Sequence, residues 1–168
     1  MANRLVLFDS RRPDEPLFDT ELVSGHGVVW DARRELLWAL GLNALRAYRL
    51  TDRQLILTAG HQLPDTSGHD LIAVPGTDLL SVTTHHHAWM FDRATKTFSP
   101  HPQLADFENV KSINVHPDTG AVVWTMADKG FWWTAALRFL NPEMTIGRTG
   151  ERLYKARWVA SARQIRPD

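Results

Sequence analysis

Short apolar segments separated by polar turns recur along the chain at a nearly constant spacing. Four of these segments begin next to a basic residue at the same place in each repeat, namely His26, His69, Lys111 and Lys155. The spacing is about 43 residues, and a period of about 40–45 residues built from short strands is typical of β-propeller blades. The pattern therefore predicts an all-β propeller of about four blades.

Each repeat predicts the same series of strands. A nearly continuous apolar run indicates a buried innermost strand, and a turn rich in proline, glycine and aspartate follows it. Two further strands form a hairpin, with second strands expected over 36–40, 79–83 and 121–125 and third strands over 45–50, 88–92 and 133–140. The outermost strand has the weakest pattern and is clearest over 55–58, as expected of an exposed edge.

The two ends of the chain each match part of a repeat. Residues 4–9 predict a strand, 10–16 a proline-containing turn and 17–23 another strand, and this segment corresponds to the second half of a repeat. Residues 154–168 correspond to the beginning of one. We therefore expect a single domain over residues 1–168 whose last blade is shared between both termini. The alternative is a half-ring that pairs with a second copy.

Composition narrows the class of partner. The chain has 168 residues with 19 acidic and 19 basic side chains, so no bulk attraction to nucleic acid or membranes is expected. It contains no cysteine, which excludes disulfides and thiolate metal sites. The apolar run near the amino terminus is too short for a signal peptide, and no run approaches the length of a membrane span, so we expect a cytoplasmic protein.

The predicted fold gathers chemically distinctive residues on one face. Loops that lead into innermost strands emerge on the same face as loops that join second and third strands, so His26, His69, Lys111 and Lys155 are expected to surround the axis. Two imidazoles with a carboxylate form a ligand set for zinc, manganese or iron, which makes His26 and His69 candidate metal ligands. The alternative is that each histidine bonds only a neighbouring backbone carbonyl.

The two lysines predict an anion site at the same place. Lys111 and Lys155 are expected to bind a carboxylate or phosphate, or to supply a base. The alternative is that each pairs with an acidic side chain such as Asp70 at the rim. Arg157 shares a strand face with Lys155, where it would either extend the anion site or form a buried ion pair.

Further substrate contacts are expected from residues beside these loops. They are Asp70, Asp128, His85 and Trp132, although the turn with His85 could equally be a solvated loop. Trp132 would stack on a ring of the ligand or, alternatively, pack between blades. The remaining single tryptophans are expected to pack between blades: Trp30, Trp38, Trp89, Trp124 and Trp158.

A set of motifs spans roughly residues 4–160: Gly25-His26-Gly27-Val28-Val29-Trp30-Asp31, Leu37-Trp38-Ala39-Leu40-Gly41, Leu45-Arg46-Ala47-Tyr48-Arg49, Gly68-His69-Asp70-Leu71, Val74-Pro75-Gly76-Thr77, Asn109-Val110-Lys111-Ser112 and Leu153-Tyr154-Lys155-Ala156-Arg157-Trp158. Together they resemble a family of uncharacterised bacterial β-propeller proteins, known as a domain of unknown function. The resemblance implies the propeller fold and no particular activity. Members are longer, so the chain resembles their C-terminal half, and they tend to have a small-residue turn in place of His85-His86-His87.

These observations favour a small-molecule site. The chain has no glycine-rich phosphate loop, no His-Glu-x-x-His and no Gly-x-Ser-x-Gly, so triad hydrolysis has no support. We expect an oxygenated, anionic small molecule to bind. If the protein is an enzyme, we expect a lyase or isomerase that uses a histidine-bound metal or a histidine–lysine acid–base pair. The alternative is a non-catalytic protein-interaction module, and either a monomer or a homodimer is compatible with the sequence.

Overall fold

The computed structural model describes residues 3–52 and 54–159, and over these residues the chain forms strands and no helix. The strands lie in four antiparallel sheets that follow one another along the chain. An N-terminal sheet contains β1 (Arg4–Asp9) and β2 (Arg12–Glu21). None of the helices needed to span a bilayer, long and apolar, occurs in these residues.

Three four-stranded sheets follow the N-terminal sheet, each a simple meander. The first contains β3 (Gly27–Asp31), β4 (Leu36–Leu40), β5 (Ala44–Leu50) and β6 (Leu55–Gln62). The second contains β7 (Asp70–Ala73), β8 (Leu79–Thr83), β9 (Ala88–Asp92) and β10 (Thr97–Pro100). The third contains β11 (Val110–Val115), β12 (Val122–Met126), β13 (Ala136–Leu140) and β14 (Met144–Gly147).

The repeat is visible in the backbone as well as in the sequence. Ser24, Ser67 and Asn109 have φ angles of 51°, 61° and 57°. Each lies two residues before His26, His69 or Lys111, so the loop leading into each innermost strand makes the same left-handed step. Serine and asparagine tolerate this conformation better than branched residues do.

The core consists of three apolar clusters, each between two adjoining sheets. Leu22, Tyr48 and Leu55 pack with the N-terminal sheet. A larger cluster joins the first and second four-stranded sheets, where the rings of Trp38 and Phe91 lie 5.3 Å apart. The third cluster joins the second and third sheets and is formed by Ala88, Leu104, Val110, Ile113, Val122 and Trp124. Face-to-face burial of this kind is the main stabilising force in layered β proteins.

The innermost strands approach each other closely because two glycines allow it. A Cβ at Gly27 would lie 2.8 Å from the Cβ of Leu71, and a Cβ at Gly68 would lie 2.6 Å from the carbonyl oxygen of Gly41. No side chain fits at either distance. The two glycines therefore fix how near the adjoining residues, His26 and His69, come to each other.

Two sequence predictions differ by several residues from the structure near strand ends. The turn predicted over 10–16 is wrong, because β2 already begins at Arg12. The strand β2 lies at the edge of its sheet, and register shifts around Phe8 accommodate its prolines. The third strand of the last repeat begins at Ala136 instead of 133, because the preceding residues belong to a turn closed by Asp128.

Trp30 also differs from the prediction that it packs between blades. Half of its surface is exposed, and it lines an open cleft of about 540 Å³ with Leu17 and Phe18 of the N-terminal sheet. The cleft exists because the two-stranded N-terminal sheet covers less of β3 than a four-stranded sheet would.

The described part of the C-terminal segment, up to residue 159, makes no backbone ladder with the N-terminal sheet. Residues 154–159 form no strand, and Leu153 makes only an isolated bridge to Thr134. The predicted start of a fourth repeat continues over 160–168, which lie outside the described residues. Ring closure by a blade shared between the termini therefore stays a prediction.

Candidate functional site

Residues from all three innermost strands and from the C-terminal segment meet at one place. The rings of His26 and His69 lie edge to face with centroids 6.0 Å apart. The Nζ atom of Lys111 lies 2.8 Å from Nε2 of His69, and Nζ of Lys155 donates a hydrogen bond to the carbonyl oxygen of His26 at 2.7 Å. We call His26, His69, Asp70, Lys111, Lys155 and Arg157 the axial cluster.

Lys111 reaches the axial cluster through an irregularity in its strand. The ladder between β11 and β12 pairs Val110 with Met126 and then Ser112 with Thr125, so Lys111 has no opposite residue. The ladders of β3 and β7 with their neighbours show no such shift. A bulge re-aims one side chain without disturbing the rest of a strand, so it accounts for the position of Lys111.

The two histidines have different partners. The Nδ1–H of His26 donates to the carbonyl oxygen of Ser24 at 2.7 Å, which is the backbone contact named above as the alternative to metal binding. The Nδ1 atom of His69 is buried and makes no hydrogen bond within residues 3–52 and 54–159. Burial, reinforced by the nearby charge of Lys111, lowers the pKa of His69 to about 3. His69 is therefore a neutral imidazole at physiological pH.

Lys111 is almost completely buried, with 5% of its surface exposed. Its hydrogen-bond contact is the His69 imidazole, and among the described residues no carboxylate forms an ion pair with it. Burial lowers the pKa of its amine. A buried amine without a counter-charge is unusual, because most buried ammonium groups are paired.

Asp70 is buried and holds two basic side chains. Its Oδ1 atom lies 3.0 Å from Nζ of Lys155 and also accepts a hydrogen bond from Nη2 of Arg157. Its Oδ2 atom is buried and makes no hydrogen bond in the described part of the chain. Of the alternatives left open by the sequence, the structure thus forms the ion pairs of Lys155 and Arg157 with Asp70.

Three polar side chains of the third sheet hold the C-terminal segment beside β11. Thr125 donates to the carbonyl of Tyr154 at 2.7 Å, Ser112 accepts from the amide of Ala156 at 2.9 Å, and Asn114 accepts from the amide of Trp158 at 2.7 Å. This alternation places Lys155 and Arg157 toward the axis. Sequence reasoning missed these anchors, although Ser112 and Asn114 are the polar residues of an otherwise apolar strand.

Tyr154 also belongs to the surroundings of the axial cluster and was missed. Burial and the charge of Asp70 raise the pKa of its phenol. Nζ of Lys155 lies 5.7 Å from the centre of its ring. The tyrosine thus forms part of the wall next to the basic groups.

His85 lies between the axial cluster and solvent. It is exposed, and its ring centroid is 6.1 Å from that of His69. The turn that carries it is anchored by Asp65, whose Oδ2 accepts from Thr84 Oγ1 and from the amide of His86, both at 2.9 Å. Burial opposes ionisation of Asp65, but these hydrogen bonds prevail and hold its pKa at about 2.

Asp128 and Trp132, the other predicted substrate contacts, lie at the margin. Asp128 closes its own turn by accepting from Thr134 Oγ1 at 3.0 Å and from the amide of Ala135 at 3.1 Å. Trp132 is 65% exposed, and the edge of its ring contacts Tyr154 at 5.8 Å between centroids. Trp132 therefore adjoins the cluster through Tyr154, whereas the hydrogen bonds of Asp128 stay within its own turn.

One ring nitrogen of each histidine in the axial cluster already has a protein partner. In the residues with described positions, no group of three or more histidine, aspartate or glutamate side chains is arranged to hold a metal ion. Nε2 of His69 already contacts Lys111, and Nδ1 of His26 already contacts Ser24. A metal on His26 and His69 stays a prediction, and no chemical step below depends on it.

No protein-family model matches the chain, and no curated protein is significantly similar to it. The resemblance drawn from the sequence motifs therefore stays a prediction, and the chemistry has to be argued from the axial cluster.

Proposed function

We propose that the axial cluster binds a small oxygenated anion, such as a carboxylate or a phosphate. One observation carries this proposal: Lys111 is buried against an imidazole and has no carboxylate partner among the described residues. An anion placed beside it would supply the missing counter-charge and accept the amine protons that now have no acceptor.

Two further cations support the proposal. Lys155 and Arg157 share one oxygen of Asp70, and 27% and 34% of their side chains remain exposed. The axial cluster therefore contains three basic side chains, Lys111, Lys155 and Arg157, and one carboxylate, Asp70, which leaves an excess of positive charge. Charge excess in a confined, partly desolvated site attracts anions more strongly than the same charge on an open surface.

For the fold, we infer a four-bladed propeller. The inference is supported by three successive four-stranded sheets, by the core clusters between adjoining sheets and by the position of residues 154–159 beside β11. In this arrangement β1 and β2 supply the outer strands of the fourth blade. The half-ring that pairs with a second copy is the alternative, and the native mass of the protein distinguishes the two.

A non-catalytic interaction module is the second candidate function. The observation that favours it is an exposed aromatic pair next to the axial cluster, Phe131 at 57% and Trp132 at 65% exposure. Exposed aromatic side chains are frequent in the energetic centres of protein interfaces. In that case the axial cluster would be structural and would not respond to small anions.

Calorimetric titration with lactate, gluconate and inorganic phosphate tests the anion site. We expect at least one of them to bind the wild-type protein and binding to be lost in Lys111→Met. The matched control is Lys129→Met, which removes the same charge from an exposed turn and should bind normally. Absence of binding by all three anions, or equal weakening in both variants, would overturn the proposal. The free energy of unfolding of Lys111→Met should lie within about 1 kcal/mol of the wild-type value, because replacing a buried charge by an apolar side chain often leaves stability unchanged.

Elemental analysis of tag-free protein tests the metal prediction independently. About one equivalent of a transition metal in the wild type, lost in the His26→Ala/His69→Ala double variant, would assign the metal to these histidines and favour lyase or isomerase chemistry. Metal-free protein that still binds an anion would leave the histidine–lysine pair as the chemical group of the site.

A further inference from the structure

Lys111 differs from the residues that occupy its position in the other repeats. His26 and His69 lead into regular strands, whereas Lys111 is the extra residue of a bulge. Bulges are over-represented next to active sites, where they direct one side chain to a particular place. The bulge therefore lies at Lys111, the residue of β11 that reaches the axial cluster.

The environment of the Lys111 amine suits a nucleophile. The amine is buried, it contacts Nε2 of the His69 imidazole at 2.8 Å, and no carboxylate of the described residues forms an ion pair with it. The imidazole nitrogen can accept a proton from the amine, and the free amine carries the unshared electron pair needed for attack on a carbonyl. An imidazole in contact with the amine can carry protons during that attack.

The neighbouring basic groups indicate which carbonyl compound would fit. Lys155 lies close enough to His69 for its charge to act on that imidazole, and Arg157 shares Asp70 with Lys155. Guanidinium and ammonium groups together bind a carboxylate. In a compound with a carboxylate next to a carbonyl group, the carboxylate would bind these cations and the carbonyl carbon would lie at Lys111.

We propose that Lys111 forms an imine with a small 2-oxo acid held by Lys155 and Arg157. The inference rests on the anion site proposed above and names its substrate class. It also assigns the His69 imidazole to proton transfer between the amine and the oxygen of the carbonyl group.

The step needs no oxidant or reductant. The electron pair of Nζ forms a bond to the carbonyl carbon, and the π pair moves to the oxygen, which becomes an alkoxide beside a positively charged nitrogen. His69 Nε2 removes one proton from that nitrogen and delivers it to the alkoxide, which gives a neutral carbinolamine. His69 then transfers the remaining N–H proton to the hydroxyl group as the C–O bond breaks, water leaves, and the electron pair freed on nitrogen completes the C=N bond. The sum is amine plus ketone giving imine plus water.

Reductive trapping tests the proposal on the full chain. Protein is incubated with pyruvate and cyanoborohydride, which reduces imines in preference to ketones, and the modified residue is located by peptide mass mapping. The chain has four lysines, Lys96, Lys111, Lys129 and Lys155, so the assignment is unambiguous. We expect modification at Lys111 and none above background at exposed Lys129. Modification that is absent, or equal at these two lysines, would overturn the proposal.

Two comparisons separate this inference from the anion site itself. Lys111→Arg has no primary amine, so trapping should be lost in this variant, whereas the wild-type protein should bind lactate, which has the carboxylate but no ketone. Wild-type protein that binds lactate but is not trapped by pyruvate would retain the anion site and exclude the imine. Protein that neither binds lactate nor is trapped would exclude both. The wild-type mapping decides the matter even if the variant does not fold.

Discussion

Charged side chains gather at both ends of the innermost strands, but they are fully paired at one end and only partly paired at the other. At the end opposite the axial cluster, the end of β3 and the turns after β3, before β8 and after β9 bring together a group that we call the turn cluster: Asp31, Arg33, Arg34, Asp78 and Arg93. There Arg34 contacts both aspartates at 3.0 and 3.1 Å, Arg93 contacts Asp31 at 3.0 Å, and Arg33 contacts Asp78 at 2.6 Å. Each carboxylate of this cluster is matched by two guanidinium groups.

The axial cluster is incomplete by comparison. One oxygen of Asp70 and one nitrogen of His69 are buried without a hydrogen bond from the described residues, and Lys111 contacts an imidazole instead of a carboxylate. A saturated network stabilises a fold, whereas buried polar groups that lack partners destabilise it unless something else binds them. The turn cluster is therefore saturated by its own groups, whereas the axial cluster keeps the buried polar atoms on which the proposed anion site relies.

Breaking the turn cluster should give the largest effect on stability. Asp31 is 3% exposed, and Asp31→Ala would leave the buried guanidinium of Arg93 without its carboxylate. We expect the free energy of unfolding to fall by about 3–5 kcal/mol, measured by urea denaturation, with anion binding retained. Asp78→Ala, at the exposed side of the same cluster, is the control and should have a much smaller effect. Equal losses in both variants would contradict the assignment of Asp31 as the buried anchor.

Asp70→Asn should separate stability from binding at the axial end. Loss of the carboxylate leaves Lys155 and Arg157 without their anion, so the free energy of unfolding should fall by about 1–2 kcal/mol, since both partners are partly exposed. The same change increases the excess of positive charge, so the anion should bind about tenfold more tightly. Calorimetry and urea denaturation on one preparation measure both effects. Weaker binding in this variant would show that Asp70 contacts the ligand favourably.

Acidification should produce the smallest effect and involves His69. Its pKa of about 3 in the folded protein lies below the value near 6.5 of an unfolded chain, so the unfolded state takes up the proton first. The stability from neutral His69 is therefore complete above pH 6.5 and is lost progressively as the pH falls toward 3. By pH 5.5 the loss is at most about 1.4 kcal/mol, and solvent screening of the half-buried ring reduces it further. Urea denaturation across this range should show that the stability of His69→Gln depends less on pH than that of the wild type. If both proteins show the same pH dependence, the responsible group is buried His101 instead. Burial lowers the pKa of His101 to about 4.

The repeat period predicted where the innermost strands begin, because each of them is a short, largely apolar run that follows the same kind of loop. That is why His26, His69, Lys111 and Lys155 could be grouped before their contacts were known, and the structure brings them together. The second strands 36–40 and 79–83 were also predicted to the residue. Most residues of these two strands are apolar, and most of them are buried between adjoining sheets.

Single-residue irregularities could not be predicted in the same way. The bulge at Lys111 leaves the apolar pattern of β11 unchanged, so periodicity does not reveal it. The contact between Asp70 and Arg157 joins residues far apart in sequence, and its geometry depends on the anchors Ser112 and Asn114. The hydrogen bonds of Asp128 were not predicted either, because they join residues within one turn and leave no trace in the repeat period.

Because each apolar cluster belongs to one pair of adjoining sheets, the described residues form coupled packing units and not one central core. In such an arrangement, cooperativity passes from neighbour to neighbour, and the least covered unit opens at the lowest free energy. The N-terminal sheet, with two strands and an open cleft beside Trp30, is that unit. No residue of the axial cluster belongs to β1 or β2, so local opening of the N-terminal sheet can leave the proposed anion site intact.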